Sequence, residues 1–185
     1  MKIRKADIRD VDIIVNIESN NGYKWGMDKE KTDKMIRKLF TDKNCEFYIL
    51  EVNNEPIGYF GLSFDKKNKN PNRCKHRGIF NPPNGKKKTQ QGCEVLDPFE
   101  GNKICYSDFT AVIKSQQGKG YASLLKKKSI LIARRNNCKC IESTVWAKNF
   151  KMIGLNNKFG FYVYDIKKNF YPNGDSKLVM MKELR

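Results

Sequence analysis

The stretch Val112-Ile113-Lys114-Ser115-Gln116-Gln117-Gly118-Lys119-Gly120-Tyr121-Ala122-Ser123-Leu124-Leu125 decides how this chain is read. A β-rich run stops, a glycine turn intervenes, and a helical pattern begins, which predicts a strand, a tight loop and a helix N-terminus. The first turn of a helix leaves backbone N–H groups without internal partners and carries the positive end of the macrodipole. Glycines in front of it let an anion come close, so the stretch has the makings of a phosphate cradle. The plainer alternative is a strand-to-helix connector with no ligand. Two common nucleotide sites are excluded by spacing: there is no Gly-x-x-x-x-Gly-Lys-[Ser/Thr], and no acidic residue about twenty positions on to hold a ribose.

Composition bounds the rest. A chain of 185 residues with 39% hydrophobic side chains, eleven Phe and eight Tyr can build one core and leaves little room for two, so a single domain over 1–185 is expected. Lys and Arg number 37 against 20 Asp and Glu, a net charge of +17. This charge favours polyanions, acidic surfaces or phosphorylated substrates, or it reflects a lysine-rich solvated surface. No run of about twenty apolar residues occurs and the N-terminus lacks a secretion signal, so a cytoplasmic protein with no membrane partner is expected. The six cysteines lack the density of a secreted disulfide scaffold and read as reduced thiols.

Outward from the glycine loop, a coherent element order emerges. Ile3 to Ala6 reads as a strand. Asp7 caps a helix through Ile17, and a polar loop with Tyr23 and Trp25 precedes a second helix from about Lys29 to Phe40. Glu46 to Val52 and Ile57 to Phe64 form a hairpin about Asn53-Asn54-Glu55-Pro56. Residues 66–103 lose all periodicity. Over Lys66 to Glu100 they carry nine basic side chains against three acidic ones, a basic insertion of the length that is usually functional or mobile. Within it Cys74, His76 and Cys93 fall short of the four ligands of structural zinc, so no metal is expected. Ile104 to Ile113 is the fourth strand, Tyr121 to Asn136 a helix, Cys140 to Trp146 the fifth strand, Asn149 to Phe159 a helix closed by Gly160, and Phe161 to Ile166 and Leu178 to Met181 the last strands.

Two pieces of this sequence resemble one family. Gln117-Gly118-Lys119-Gly120-Tyr121-Ala122 is similar to the Gln/Arg-x-x-Gly-x-Gly/Ala signature of the GCN5-related N-acetyltransferases, the GNAT superfamily. Asn149-Phe150-Lys151-Met152-Ile153-Gly154-Leu155-Asn156-Asn157-Lys158-Phe159-Gly160-Phe161 is similar to that family's Asn-initiated helix ending in Gly-Phe. The order βααβββαβαββ agrees over nearly the whole chain. The resemblance implies an α+β GNAT fold, with a mixed central sheet of about seven strands flanked by about four helices and the basic insertion between the third and fourth strands. It implies acetyl-coenzyme A as co-substrate, its pyrophosphate on the amides of Gln117, Gly118, Lys119, Gly120, Tyr121, Ala122 and Ser123, and its pantetheine paired with Val112 and Ile113 and touching Asn149. It also implies that the helix-loop-helix with Trp25 walls the acceptor pocket.

The chemistry is less complete. The resemblance implies that a strand amide near Val112 polarises the thioester. The family's usual general acid, a Tyr, falls on Asn156, which cannot supply a proton. Tyr162 or Tyr164 can substitute, or the thiolate leaves unaided. On the fourth strand a two-residue period puts Tyr106, Asp108, Thr110 and Val112 on one face, with Asp108 its only carboxylate. Asp108 and Tyr106 are therefore the catalytic candidates, with Asp108 either a base or a structural acceptor, and Glu142 is a weaker candidate. Lys126, Lys127, Lys128, Arg134 and Arg135 either reach a 3′-phosphate of coenzyme A or form an exposed basic face. The expected function is acetyl-coenzyme A-dependent N-acetylation of an unidentified amine acceptor, tilted toward anionic or nucleic-acid-associated molecules. Beside it stand a nucleic-acid-associated transferase using Lys66 to Lys88, and a GNAT-like binding module without turnover.

Overall fold

The computed structural model describes residues 1–22, 28–65 and 103–184, without the side chains of Asp65 and Asp108. Tyr23, Trp25, the candidate metal residues and the basic insertion up to residue 102 lie outside the described residues. The strands are β1 (Lys2–Lys5), β2 (Cys45–Val52), β3 (Glu55–Asp65), β4 (Ile104–Val112), β5 (Cys140–Trp146), β6 (Tyr162–Lys167) and β7 (Lys177–Glu183). The helices are α1 (Val11–Asn20), α2 (Lys29–Thr41), α3 (Tyr121–Arg135) and α4 (Phe150–Lys158), with short 3-10 turns at Ile8–Asp10 and Lys114–Gln116. The strands join in one sheet in the order β1-β2-β3-β4-β5-β7-β6. Every pairing is antiparallel except β4 with β5.

Each face of the sheet is covered by the helices the apolar patterns supply. On one face α1 and α2 bury Ile14, Ile17 and Ile36 against Phe47, Ile49 and Tyr59, and Phe40 stacks on Phe47 with ring centroids 4.8 Å apart. On the other, α3 buries Leu125, Ile132 and Ala133 against Leu50, Phe60 and Ile141. A fully buried side chain of this size stabilises the fold by about 1.5–3 kcal/mol. Strand residues of alternate parity serve the two faces.

Polar contacts fix the helix ends to the sheet. Asp7 and Asp10 form a reciprocal capping box at the 3-10 turn. Asp10 also takes a bidentate pair from Arg4, at 2.7 and 2.8 Å, while Arg4 Nε donates to Glu51 at 2.6 Å. The Arg4 guanidinium holds the Asp10 carboxyl below the usual carboxylate range. At the far end of α1 the Tyr59 hydroxyl, fully buried, donates to Glu18 Oε1 at 2.6 Å. Burial, with the Glu18 carboxyl as a second cause, raises the Tyr59 phenol well above its ordinary value.

The hairpin turn is tighter than its sequence suggests. Asn53 and Asn54 alone make it, both with positive φ (52° and 63°), and Glu55 already pairs with Val52. Two residues with φ > 0 match the right-handed twist of the flanking strands, so Pro56 belongs to β3 and not to the turn.

Candidate active site

The parallel pairing of β4 with β5 stops early. Ile104↔Cys140, Cys105↔Ile141 and Tyr106↔Glu142 are in register, and beyond them the strands part. A cleft of about 930 Å³ opens between Ser107, Thr110 and Val112 on one side and Ser143 and Val145 on the other, reaching the N-terminus of α3. The cause is a bulge. Against β3, Gly61 pairs with Phe109 and Ser63 with Tyr106, so the single residue Leu62 opposes both Ser107 and Asp108. One extra residue bends the bulged strand and sharpens its twist.

The bulge also corrects the expected face. Tyr106 does not share a face with Thr110 and Val112. It packs with Ile104, Cys140, Met181 and Tyr164 on the side away from α3, whereas Val112 packs with Leu125 of α3. The extra residue shifts the side-chain alternation by one, so the two-residue period fails across it.

Ladder alternation then decides which amides face the cleft. Ile113 N–H is consumed by Ile57 O at 2.9 Å on the β3 side. Thr110 and Val112 therefore turn their N–H and C=O groups toward the gap. Val112 O accepts from Gln117 Nε2 at 2.9 Å, and the same nitrogen donates to Asn21 Oδ1 at 2.8 Å, tying the glycine loop to the end of α1.

Helix α3 begins at Gly120, which stands at φ 85° as its N-cap, and no side chain caps the helix. Gly118 is also left-handed, at φ 82°. A Cβ on either glycine would meet nothing within 4 Å, so the space before the helix is open. The glycines are demanded by backbone conformation, and the uncapped first-turn amides face an open recess. Among the described residues lining the cleft, Lys151 is the one charged side chain, and none is acidic. Anions are favoured at such a helix start.

The far wall comes from α4 and the β6–β7 loop. Asn149 caps α4 by accepting from Met152 N–H at 3.1 Å, and the residue lines the cleft. Asp175 anchors the loop, accepting from Trp146 Nε1 at 2.9 Å and pairing with Lys148 at 2.7 Å. Lys148 foremost, then Trp146 and Asn173, hold the Asp175 carboxyl below its ordinary range. This anchoring brings Tyr171 to the cleft, a residue that no periodicity marks in the sequence.

Of the predicted cofactor residues, Val112, Gln117, Gly118, Gly120, Tyr121, Ala122, Ser123 and Asn149 come together along the cleft. Ile113 and Lys119 are not among its lining residues; Ile113 packs into both cores, and Lys119 Nζ turns to Gln116 Oε1 at 2.9 Å. Asp108 sits in the bulge, with its side chain outside the described residues. Asn156 is fully buried, its NH₂ group directed to Met180 Sδ at 3.5 Å and its Oδ1 without a partner among the described residues. Tyr162 and Tyr164 lie off the cleft, and Glu142, in register with Tyr106, alternates onto the same side as that residue. Lys126 is not on an exposed basic face: it is 1% exposed, with Nζ 5.1 Å from the Phe161 ring centroid. No group of three His, Cys, Asp or Glu able to hold a metal occurs among the described residues, and no described helix is long and apolar enough to cross a membrane.

The family model for the acetyltransferase (GNAT) family matches residues 12–161. The chain belongs to the GNAT family. Its fold is the GNAT fold, shared with the ribosomal-protein-S18-alanine N-acetyltransferase of Escherichia coli at TM-score 0.69 and 16% identity, covering 99% of this chain and 93% of that one. The ribosomal-protein-alanine N-acetyltransferase of Brucella melitensis is similar at TM-score 0.65 and 18% identity, with both chains fully covered. A chain of the NatC complex, solved with a Gag peptide and CoA, is similar at TM-score 0.65 and 16% identity, again over the whole of both. No curated protein matches the chain significantly. GNAT proteins carry out acyl-coenzyme A-dependent N-acetylation in general.

Proposed function

We propose that this GNAT protein is an acetyl-coenzyme A-dependent N-acetyltransferase that moves the acetyl group directly to an acceptor amine. The observation that carries the reading is the cleft between β4 and β5, with an uncapped helix start at its mouth and the Thr110 and Val112 backbone turned toward it along its wall. The open space before Gly118 and Gly120 fits a diphosphate, and the edge of β4 at Thr110 and Val112 fits the amide-bearing arm of coenzyme A. Bound acetyl-coenzyme A supplies an activated acyl group as a thioester.

The chain's own residues then divide the work. The amides of Gly120 to Ser123 bind phosphate, Val112 aligns the arm, and Asn149 offers its NH₂ group from the opposite wall. Holding both substrates in one narrow cleft replaces a bimolecular encounter by an oriented one. Among the residues lining it, Tyr171 carries a phenol that can hold or pass a proton, and we assign it the role that the family's Tyr would have at Asn156.

The acceptor is a neutral or anionic amine. The absence of acidic side chains among the described lining residues supports this over a polycationic acceptor, and so does the net charge of +17. Calorimetric titration with acetyl-coenzyme A, followed by radiolabelled acetyl transfer to cell extract and to peptides with a free N-terminal alanine, tests the reading. Micromolar binding and a labelled product are expected. No cofactor binding and no product would refute it.

A further inference from the structure

Ser107 stands at the point where the sheet divides. It follows Tyr106, the last β4 residue in register with β5, and it lies in the bulge, so it forms the apex of the cleft. The residue is 2% exposed, and its hydroxyl has no hydrogen-bond partner among the described residues. The neighbouring hydroxyls are committed: Ser143 Oγ donates to Ser107 O at 3.0 Å, and Thr110 Oγ1 donates to Phe109 O at 2.7 Å. A buried hydroxyl without a partner carries a desolvation cost that a ligand acceptor removes. Rotation between its staggered χ1 wells breaks no hydrogen bond, so the O–H is free to turn toward such an acceptor.

The position says which acceptor this is. A molecule whose phosphates sit at Gly118 to Tyr121 and whose arm lies along Val112 and Thr110 runs from the mouth toward the apex. Its far end is the acyl thioester. We infer that the Ser107 hydroxyl is a catalytic hydrogen-bond donor to the thioester carbonyl oxygen, acting beside the strand amides; this rests on the acetyl-transfer reading above.

As the acceptor nitrogen bonds to the carbonyl carbon, the C=O π pair moves to oxygen, where the Ser107 O–H meets the growing charge. The pair returns as the C–S bond breaks, sulfur leaves with the electrons of that bond, and the proton shed by nitrogen neutralises it. Ser107 gives up no proton and forms no covalent bond. A neutral donor held in a water-poor apex stabilises such charge more than it would in water.

The test uses the full chain with [1-¹³C]acetyl-coenzyme A and hydroxylamine as a small neutral amine probe. In isotope-edited infrared spectra, Ser107→Ala should move the bound carbonyl band to higher wavenumber, with cofactor affinity falling by no more than about tenfold. Turnover should fall by about 100-fold, the usual cost of one such donor. Ser107→Thr, which keeps the hydroxyl, should hold the band and retain most of the turnover. Thermal stability of Ser107→Ala should be unchanged or higher, whereas a structural serine would lose stability. An identical carbonyl band in wild type and Ser107→Ala, or equal turnover, overturns the assignment while leaving the acetyl-transfer reading intact. A wild-type protein that binds no acetyl-coenzyme A removes both.

Discussion

Replacing Gly120 by alanine separates what the helix start costs from what it binds. In the free protein the new Cβ would touch nothing within 4 Å, so no clash contributes. The cost is conformational: an L-residue at φ 85° pays about 1–2 kcal/mol for the left-handed region. For a chain of this size that lowers Tm by roughly 2–8 °C. The same methyl group projects into the recess where phosphate oxygens would meet the amides of Tyr121 and Ala122, so acetyl-coenzyme A affinity should fall at least about tenfold, or 1.4 kcal/mol. Gly61→Ala provides the contrast. Its Cβ would stand 2.7 Å from Phe47 Cε1, on the face of the sheet that packs α1 and α2 and outside the residues lining the cleft, so overpacking should cost about 1–3 kcal/mol with a smaller effect on affinity than Gly120→Ala has. Thermal melts and calorimetric titration below both melting points read the two effects separately. Wild-type affinity in Gly120→Ala would refute the claim that these amides grip the ligand.

Three further perturbations probe other parts of the molecule. Asn156→Leu removes a buried oxygen without a partner among the described residues, and should raise stability by about 1 kcal/mol in a denaturant titration with turnover unchanged; lost turnover would show that Asn156 takes part in the chemistry. Tyr59→Phe deletes the buried hydroxyl that meets Glu18 and should cost about 1.5–3 kcal/mol by the same measurement; a neutral change would mean the pair is not holding α1 to β3. Asp10 has a folded pKa depressed by Arg4, so its contribution is present above the unfolded value of about 3.9 and is lost as pH falls through the folded one. The Tm difference between wild type and Asp10→Asn should therefore shrink below about pH 4, and a constant difference down to pH 2 would exclude the linkage.

The order of elements was legible because apolar spacing changes from alternate to helical at each boundary, and because Gly118 and Gly120 mark a loop that turns left-handed just before a helix. The cleft-facing side of β4 was not. Tyr106, Asp108, Thr110 and Val112 alternate evenly as letters, but the bulge is a property of the pairing with β3, where Leu62 faces two residues. An extra residue leaves no trace in the apolar pattern of one strand. Lys126 misled for a different reason: its aliphatic stem fills a core position and its ammonium rests over Phe161, an arrangement invisible to a count of charges. Ser107 and Tyr171 acquire meaning only from the bulge and from the Asp175 anchor, which are tertiary features.

Three residue pairs are all that join β1–β4 to the β5, β7 and β6 half in register. The molecule therefore keeps two parted strand margins in its interior, where most proteins confine them to the rim and blunt them, with Gln117 Nε2 at Val112 O and Ser143 Oγ at Ser107 O as side-chain contacts along the β4 side. An extended guest with alternating amide donors and acceptors can lie between them as a surrogate strand, knitting the halves into one continuous hydrogen-bonded surface. Substrate loading and mechanical completion of the sheet would then be the same event.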